Sequence, residues 1–166
     1  MRRSHTVGSL LLILALFVWA GMVAGISFLE APLKFTAPHI TVPLGLGIGR
    51  IVFAALNKAE LMLGTVALVS AFFLRVPLRT WVGLLTVSII LLLQTFWLLP
   101  ALDVRALALL AGHAPPANAL HPIYIGLEII KLLTLLSTGT GALSWALQVA
   151  RQRSWASPES VVRQPA

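Results

Sequence analysis

The chain has 166 residues, of which 58% are hydrophobic and only 10% are charged, and its mean hydropathy is +0.95. A water-soluble domain of this length has about a quarter charged residues, so this composition excludes one. The net charge of +7 does not indicate nucleic-acid binding, because the basic residues lie at the ends of apolar runs and not in one patch. The sequence contains no cysteine, which excludes disulfides, thiolate metal sites and cysteine nucleophiles.

Four apolar runs follow in chain order, each long enough at about 1.5 Å per residue to cross a hydrocarbon core of about 30 Å. We predict helices near residues 7–29, 50–74, 80–100 and 122–149. Strands are excluded because the runs show no alternation, and lipid requires every backbone polar group to be bonded internally. The predicted fold class is all-α: an integral membrane four-helix bundle over residues 1–150, with a disordered cytoplasmic tail over 151–166.

The first run could also be part of a signal peptide, since Arg2 and Arg3 precede it and small residues surround Ala24. Its apolar character continues to Leu29, past the point where the apolar region of a signal peptide ends. We therefore predict a retained helix.

Basic residues indicate the orientation of the four predicted spans. Seven arginines fall on one side of the membrane: Arg2, Arg3, Arg75, Arg79, Arg151, Arg153 and Arg163. Three basic residues fall on the other: Lys34, Arg50 and Arg105. The positive-inside rule then predicts that both termini lie in the cytoplasm. We expect the protein to lie in the cell membrane, specifically a bacterial inner membrane. Trp81 and Trp145 are predicted at the inner interface, and Trp97 and Tyr124 at the outer one.

Two connections lie on the predicted outer side. Residues 30–50 contain three prolines and several glycines but are otherwise apolar, so we expect this segment to lie along the membrane surface or to fold back against the bundle. In the second connection, Asp103 is expected to cap a short helix that Gly112 ends. Alternatively, Pro100 only kinks the third helix, which then projects beyond the bilayer.

Ionisable side chains inside the predicted spans are the main functional signal, because each costs about 2.5–3.5 kcal/mol near the membrane centre. The predicted polar layer, a candidate ligand-binding site, consists of Asn57, Lys58, Glu60, Gln94, Glu128 and Lys131. Helical spacing puts Asn57 and Glu60 on one face of their helix, and Glu128 and Lys131 on one face of theirs. We predict that Glu60 pairs with Lys131, leaving Glu128 to Asn57, Gln94 or Lys58. Lys58 points away from Asn57 and can extend toward the outer headgroups.

The function of this layer stays open between two main alternatives. It could bind or pass a small solute or ion, or it could hold the helices in register within a structural or accessory subunit of a larger membrane complex. An enzyme acting on lipid is a third alternative, but no nucleophile–base or metalloprotease motif is present, so we predict no enzymatic activity and no catalytic residues. No cofactor is predicted. Membrane lipids are the expected partners, together with either further copies of the chain or a larger complex.

Two further patterns were weighed for function. His39, His113 and His121 all lie on the predicted outer side and could converge on a metal or haem, but they lack ligand spacing, so we predict no metal site. Gly21 and Gly25 form a GxxxG match in the first span, which we interpret as internal helix packing in preference to dimerisation.

The two halves of the chain show a faint repeat. Ser27 to Pro32 at the end of the first span resembles Thr95 to Pro100 at the end of the third. With the stretch from Trp19 to Pro32 and with His121 before the fourth span, these residues make the chain similar to the transmembrane-protein-205-like family of small four-span membrane proteins. The resemblance implies a multi-pass membrane protein and no particular reaction or catalytic residue.

Overall fold

The computed structural model describes residues 2–113 and 115–155, with side chains over 5–113 and 115–152. All regular structure in these ranges is helical, and it forms four long helices, α1 to α4. Helix α1 comprises Arg2–Val23, a π-helical segment Ala24–Glu30, Ala31–Leu33 and a 3₁₀ segment Lys34–Thr36. Helix α2 is Val42–Leu74, and α3 comprises Leu78–Leu93, a π-helical segment Gln94–Leu98 and Leu99–Leu110. Helix α4 is Leu120–Trp155.

The helices pack as an antiparallel bundle in which α1 contacts α2 and α4, and α3 contacts the same two helices. Residues 37–41 and the connection between α3 and α4 lie at one end, which we call the loop end. The short turn between α2 and α3 and the beginning and end of the described chain lie at the other, the terminal end. This arrangement brings one face of every helix into the bundle interior.

Four helices are long and apolar enough to cross a membrane: His5–Thr36, Val42–Leu74, Leu78–Leu110 and Leu120–Gln152. Their outward surfaces carry large apolar side chains such as Phe72, Phe73 and Phe96, which are 69%, 75% and 77% exposed. Such a surface is stable in lipid, where apolar side chains need no burial in protein. The predicted all-α fold with four helices of membrane-spanning length is thus confirmed.

The second helix begins much earlier than the sequence suggested. Its N-cap is Thr41, whose hydroxyl accepts a hydrogen bond from the amide of Leu44 at 3.4 Å, and Pro43 occupies the first turn, where a missing N–H costs nothing. The expectation that residues 30–50 form a surface or folded-back segment was therefore wrong for residues 42–50. It was wrong for residues 30–36 as well, because α1 continues to Thr36, past its predicted end at residue 29. Close packing accounts for one glycine of this segment. At Gly45 a methyl group would lie 2.3 Å from the ring of Phe35 at the end of α1, so only glycine leaves room for the ring.

The third helix continues through Pro100 to Leu110, so the separate short helix capped by Asp103 was also a wrong prediction. In α1 and in α3 alike, a proline is the second residue after the π-helical segment. The hydrogen-bond pattern changes there from π to α, so a residue without an N–H is tolerated at that point. The predicted stop at Gly112 is confirmed: the helix ends just before it, and Gly112 has a φ of +80°.

The fourth helix extends to Trp155, beyond the predicted end near residue 149. Residues 151–155, predicted as the start of a disordered tail, are therefore helical. The remainder of that predicted tail, residues 156–166, lies outside the described residues.

Candidate functional site

The centre of the site is the ammonium group of Lys131 on α4, whose side chain is fully buried. Its Nζ lies 2.6 Å from Oε1 of Glu60 on α2 and 2.6 Å from Oε1 of Glu128 one helical turn earlier on α4. It also donates a hydrogen bond of 2.7 Å to Oε1 of Gln94 on α3. The predicted pairing of Glu60 with Lys131 is thus confirmed, and the same ammonium binds the second carboxylate as well. We call Glu60, Gln94, Glu128 and Lys131 the ionic cluster.

Glu128 accepts hydrogen bonds on both of its carboxylate oxygens. Its Oε1 accepts from Lys131 and from Nε2 of Gln94 at 2.8 Å, and its Oε2 accepts from the hydroxyl of Ser27 on α1 at 2.7 Å. The hydroxyl of Tyr124, one turn earlier on α4, is also close enough to interact with Glu128 and Ser27. Of the partners that the sequence left open for Glu128, the structure selects Gln94.

Glu60 accepts its two hydrogen bonds on one oxygen. Besides Lys131, its Oε1 accepts from the indole Nε1 of Trp19 on α1 at 2.7 Å. Trp19 is fully buried, and its ring packs against Gly64 of α2, one turn beyond Glu60, where a Cβ would lie 3.2 Å from the ring. The glycine therefore lets the indole approach α2 closely enough to reach the carboxylate.

Each of the two π-helical segments carries a polar side chain that bonds to Glu128. Ser27 lies in the segment of α1, and Gln94 is the first residue of the segment of α3. Ser27 and Thr95 are separated by the same number of residues as Glu60 and Glu128. The faint sequence repeat therefore aligns Ser27 with Thr95 and Glu60 with Glu128. Single π turns inside α-helices often occur at functional sites, because they redirect the side chains around them.

All four helices contribute to a network in which the described buried side chains are satisfied. Glu60, Gln94, Glu128 and Lys131 are each at most 2% exposed. Among the described residues, no buried side-chain nitrogen or oxygen lacks a hydrogen-bond partner. This saturation is what allows charges to remain in a low-dielectric interior, since an unpaired buried charge costs several kcal/mol.

Two residues of the predicted polar layer lie outside the ionic cluster. Asn57 is buried one turn closer to the loop end, where its Nδ2 donates to the hydroxyl of Thr95 on α3 at 2.8 Å. Lys58 is exposed on the outer surface of α2 and does not belong to the buried layer, because it projects about 100° away from Asn57 around the helix. It lies on the surface of the bundle, as its predicted reach toward the headgroups requires.

Sequence reasoning missed Trp19, Ser27 and Tyr124 as parts of the site. Tyr124 was predicted at the outer membrane interface, but it is only 5% exposed and its ring packs edge-on against Phe53 at 5.6 Å. Its side chain therefore faces the bundle interior and not lipid, while its depth relative to the membrane surface stays a prediction. A sequence signal for Ser27 did exist: the alignment of the two halves pairs it with Thr95, which directly follows Gln94 of the predicted polar layer.

Two further ion pairs lie closer to the loop end. Lys34 binds Glu30 within α1 at 3.4 Å, and its ammonium lies 5.6 Å from the ring centroids of both Phe35 and Phe53. Arg50 of α2 binds Asp103 of α3 through Nε to Oδ1 and through a second guanidinium nitrogen to Oδ2 at 3.1 Å. Asp103 therefore links two helices and does not cap one.

The three histidines do not come together. His39, His113 and His121 are each exposed near the loop end. Across residues 2–113 and 115–155, no group of three His, Asp or Glu side chains could hold a metal ion.

The GxxxG glycines do not serve the internal packing that we predicted. Gly21 is exposed, and a Cβ at Gly21 or Gly25 would meet no atom within 4 Å. Gly141 on α4 is open in the same way. Close helix packing occurs instead at Gly83 of α3, where a Cβ would lie 2.0 Å from the hydroxyl oxygen of Thr138 on α4.

Comparison of the chain with protein-family models, with curated proteins and with solved structures gives no match. The geometry and charge of the ionic cluster are therefore the observations that bear on function.

Proposed function

We propose that this chain is a multi-pass membrane protein that binds or passes a small positively charged solute or ion at the ionic cluster. The observation that supports the proposal is the composition of the cluster: two carboxylates, Glu60 and Glu128, share the single ammonium of Lys131. With all three groups ionised, the cluster has one uncompensated negative charge. Interaction between charges is strong in a dry interior, so this site favours uptake of one further positive charge.

The polar groups around the cluster support the same function. Gln94 and Ser27 have neutral side chains that donate to Glu128, and Asn57 and Thr95 form a polar pair one turn closer to the loop end. Polar and ionisable side chains within membrane spans commonly mark the paths of ions and solutes. The π-helical segments beside them are positions where a helix can change its hydrogen bonding with little reorganisation.

The proposed orientation has both termini in the cytoplasm of a bacterial cell and the loop end outside the inner membrane. The excess of arginine near the terminal end supports it. Glu60 is fourteen positions from Leu74 at the end of α2, or about 21 Å along the helix, so in this orientation the cluster lies in the outer half of the membrane.

Reporter fusions test the orientation. Fusions after Arg79 and after Val149 should report the cytoplasm, and a fusion within residues 115–119 should report the outside. A periplasmic signal from the fusion after Val149 would contradict the proposed topology.

Vesicles containing the purified protein test the function. We expect movement of protons, followed with a pH-sensitive dye trapped inside, or of Na⁺ or K⁺, followed with ion-sensitive dyes, to exceed that of empty vesicles. Glu128→Ala should reduce the rate at least tenfold, because it removes the carboxylate with the most donors. Lys58→Gln is the matched control: it removes a charge at a similar depth from the lipid-facing surface and should leave the rate unchanged. No movement above that of empty vesicles for any of the three ions, or equal rates in all variants, would contradict the proposal.

The second candidate is the structural one, a non-catalytic accessory subunit of a larger membrane complex. It is favoured by the open faces at Gly21 and Gly141, which leave room for another membrane helix. Purification in mild detergent followed by mass spectrometry separates the candidates, since an accessory subunit should retain a partner protein, and Gly21→Leu should release it. Membership of the transmembrane-protein-205-like family, supported by the residues from Trp19 to Pro32, is a proposal compatible with either candidate.

A further inference from the structure

The two carboxylates of the ionic cluster differ in how their oxygens are occupied. Glu128 accepts from Lys131, Gln94 and Ser27, and these donors are distributed over both of its oxygens. Glu60 accepts from Lys131 and Trp19, and both donors are directed at Oε1. Within the described part of the chain, Oε2 of Glu60 accepts none of the hydrogen bonds, and it must keep slight exposure, since every fully buried side-chain oxygen there has a partner.

This difference determines which carboxylate binds a proton with the smaller loss of hydrogen bonding. A carboxylate oxygen has two lone-pair sites, so one that already accepts two donors must give one up when it is protonated, and one that accepts a single donor loses its charge and becomes a weaker acceptor. Protonation of Oε1 of Glu128 would displace Lys131 or Gln94, and protonation of Oε2 would weaken the bond from Ser27. Protonation of Glu60 on Oε2 displaces nothing, and its Oε1, now a carbonyl oxygen, still accepts from Lys131 and Trp19.

We propose that Glu60 is the proton-binding group of this protein and carries an exchangeable proton on Oε2, while Glu128 stays ionised as the counter-ion of Lys131. The proton is transferred from a hydronium ion to the Glu60 carboxylate, which gives a neutral carboxylic acid and water. The remaining cluster then contains one positive and one negative charge and is neutral. This proposal deepens the proposed function, on which it rests, by naming the proton as the cation and Glu60 as its site.

Charged and titratable groups that face Glu60 come mainly from α4. They are the ammonium of Lys131, the carboxylate of Glu128 and the phenol of Tyr124. From α1 the carboxylate meets the neutral indole of Trp19, and from α3 the cluster includes the neutral amide of Gln94. The nearby loop-end charges already form pairs of opposite sign, Lys34 with Glu30 and Arg50 with Asp103. They therefore leave the single excess negative charge of the cluster uncompensated.

Infrared spectroscopy of the purified full-length protein at neutral pH tests the assignment. We expect a carbonyl stretching band of a protonated carboxylic acid that shifts in deuterated water and is lost in Glu60→Gln. Trp19→Phe removes a hydrogen bond from the carbonyl of a protonated Glu60, so it should move the band to higher frequency. Ser27→Ala removes a hydrogen bond from Glu128 only and should leave the band in place.

The opposite pattern, a shift with Ser27→Ala and none with Trp19→Phe, would assign the proton to Glu128 and overturn the proposal. A band that is absent from the unaltered protein, or that responds to both variants or to neither, would overturn it as well. If Trp19→Phe does not fold, loss of the band in Glu60→Gln with an unchanged band in Ser27→Ala still assigns the proton to Glu60, and any other pair of results contradicts it. A proton on Glu128 would leave the proposed uptake of a cation standing, whereas failure of the vesicle experiment would leave the infrared assignment intact.

Discussion

The two halves of the bundle are held together by different forces. Near the terminal end the interior is uncharged, mainly apolar and closely packed, with Leu16, Ala71, Leu84 and Ala142 almost completely buried. Nearer the loop end the interior contains the ionic cluster, whose bonds join all four helices. Lipid provides no hydrophobic drive for helices to associate, so packing and polar bonds are the two means available. The comparison teaches that this small chain uses one of them in each half.

The two means differ in their tolerance of change. A closely packed apolar layer loses stability in proportion to the volume that is added or removed. A buried ionic network depends on the balance of its charges. Removing one charged group leaves its partner buried without compensation, whereas removing two groups of opposite charge does not.

The largest loss of stability is expected for Lys131→Met. This change leaves the carboxylates of Glu60 and Glu128 buried without their ammonium, and breaking a buried ion pair costs about 3–5 kcal/mol in soluble proteins. Thermal unfolding in detergent should show a large fall in Tm. Adding Glu128→Gln should restore part of the loss, since the second change removes a stranded charge while Gln can still bond to Gln94 and Ser27. A double variant whose loss equals the sum of the two single losses would contradict the view of the cluster as one unit.

An intermediate loss is expected for Gly83→Ala in the packed half. The added methyl group would lie 2.0 Å from the hydroxyl oxygen and 3.0 Å from the Cβ of Thr138, so rotation of the Thr138 side chain cannot fully relieve the contact. Overpacking of this kind costs about 1–3 kcal/mol. Thr138→Ala should restore much of the Tm, because it removes the atoms in closest contact.

Gly141→Ala is the matched control for Gly83→Ala. It lies on α4, and a Cβ there meets nothing within 4 Å. In the isolated protein it should leave the Tm unchanged or raise it, since Ala is favoured over Gly in a helix by up to about 1 kcal/mol. A loss equal to that of Gly83→Ala would show that close packing of α3 against α4 is not the cause.

The smallest effect is expected at the ion pair between Arg50 and Asp103. Their side chains are 31% and 42% exposed, so solvent screens their attraction. Asp103→Asn should lower the Tm slightly at low salt and by a smaller amount at high salt. A loss as large as that of Lys131→Met would mean that the pair near the loop end, and not the buried cluster, holds α2 against α3.

Most of the fold could be read from the sequence, because a membrane imposes length and apolar composition on every spanning helix. Helix boundaries were less accurate. The segment before Arg50 contains prolines and glycines that are typical of loops, but Thr41 and Pro43 start a helix there, and Gly45 accommodates Phe35 from α1. A contact between distant segments decides that boundary, so local sequence did not reveal it.

The site was predictable in part for the same reason. Unpaired charges are costly in lipid, so the sequence already required Glu60, Glu128 and Lys131 to find polar partners inside the bundle. The packing of the four helices set the rest: one ammonium serves both acids, Trp19 and Ser27 complete the set, and Lys58 remains outside. Helical spacing sets the direction of a side chain within its own helix, but the partner it meets depends on the depth and rotation of the neighbouring helices, which π-helical turns alter.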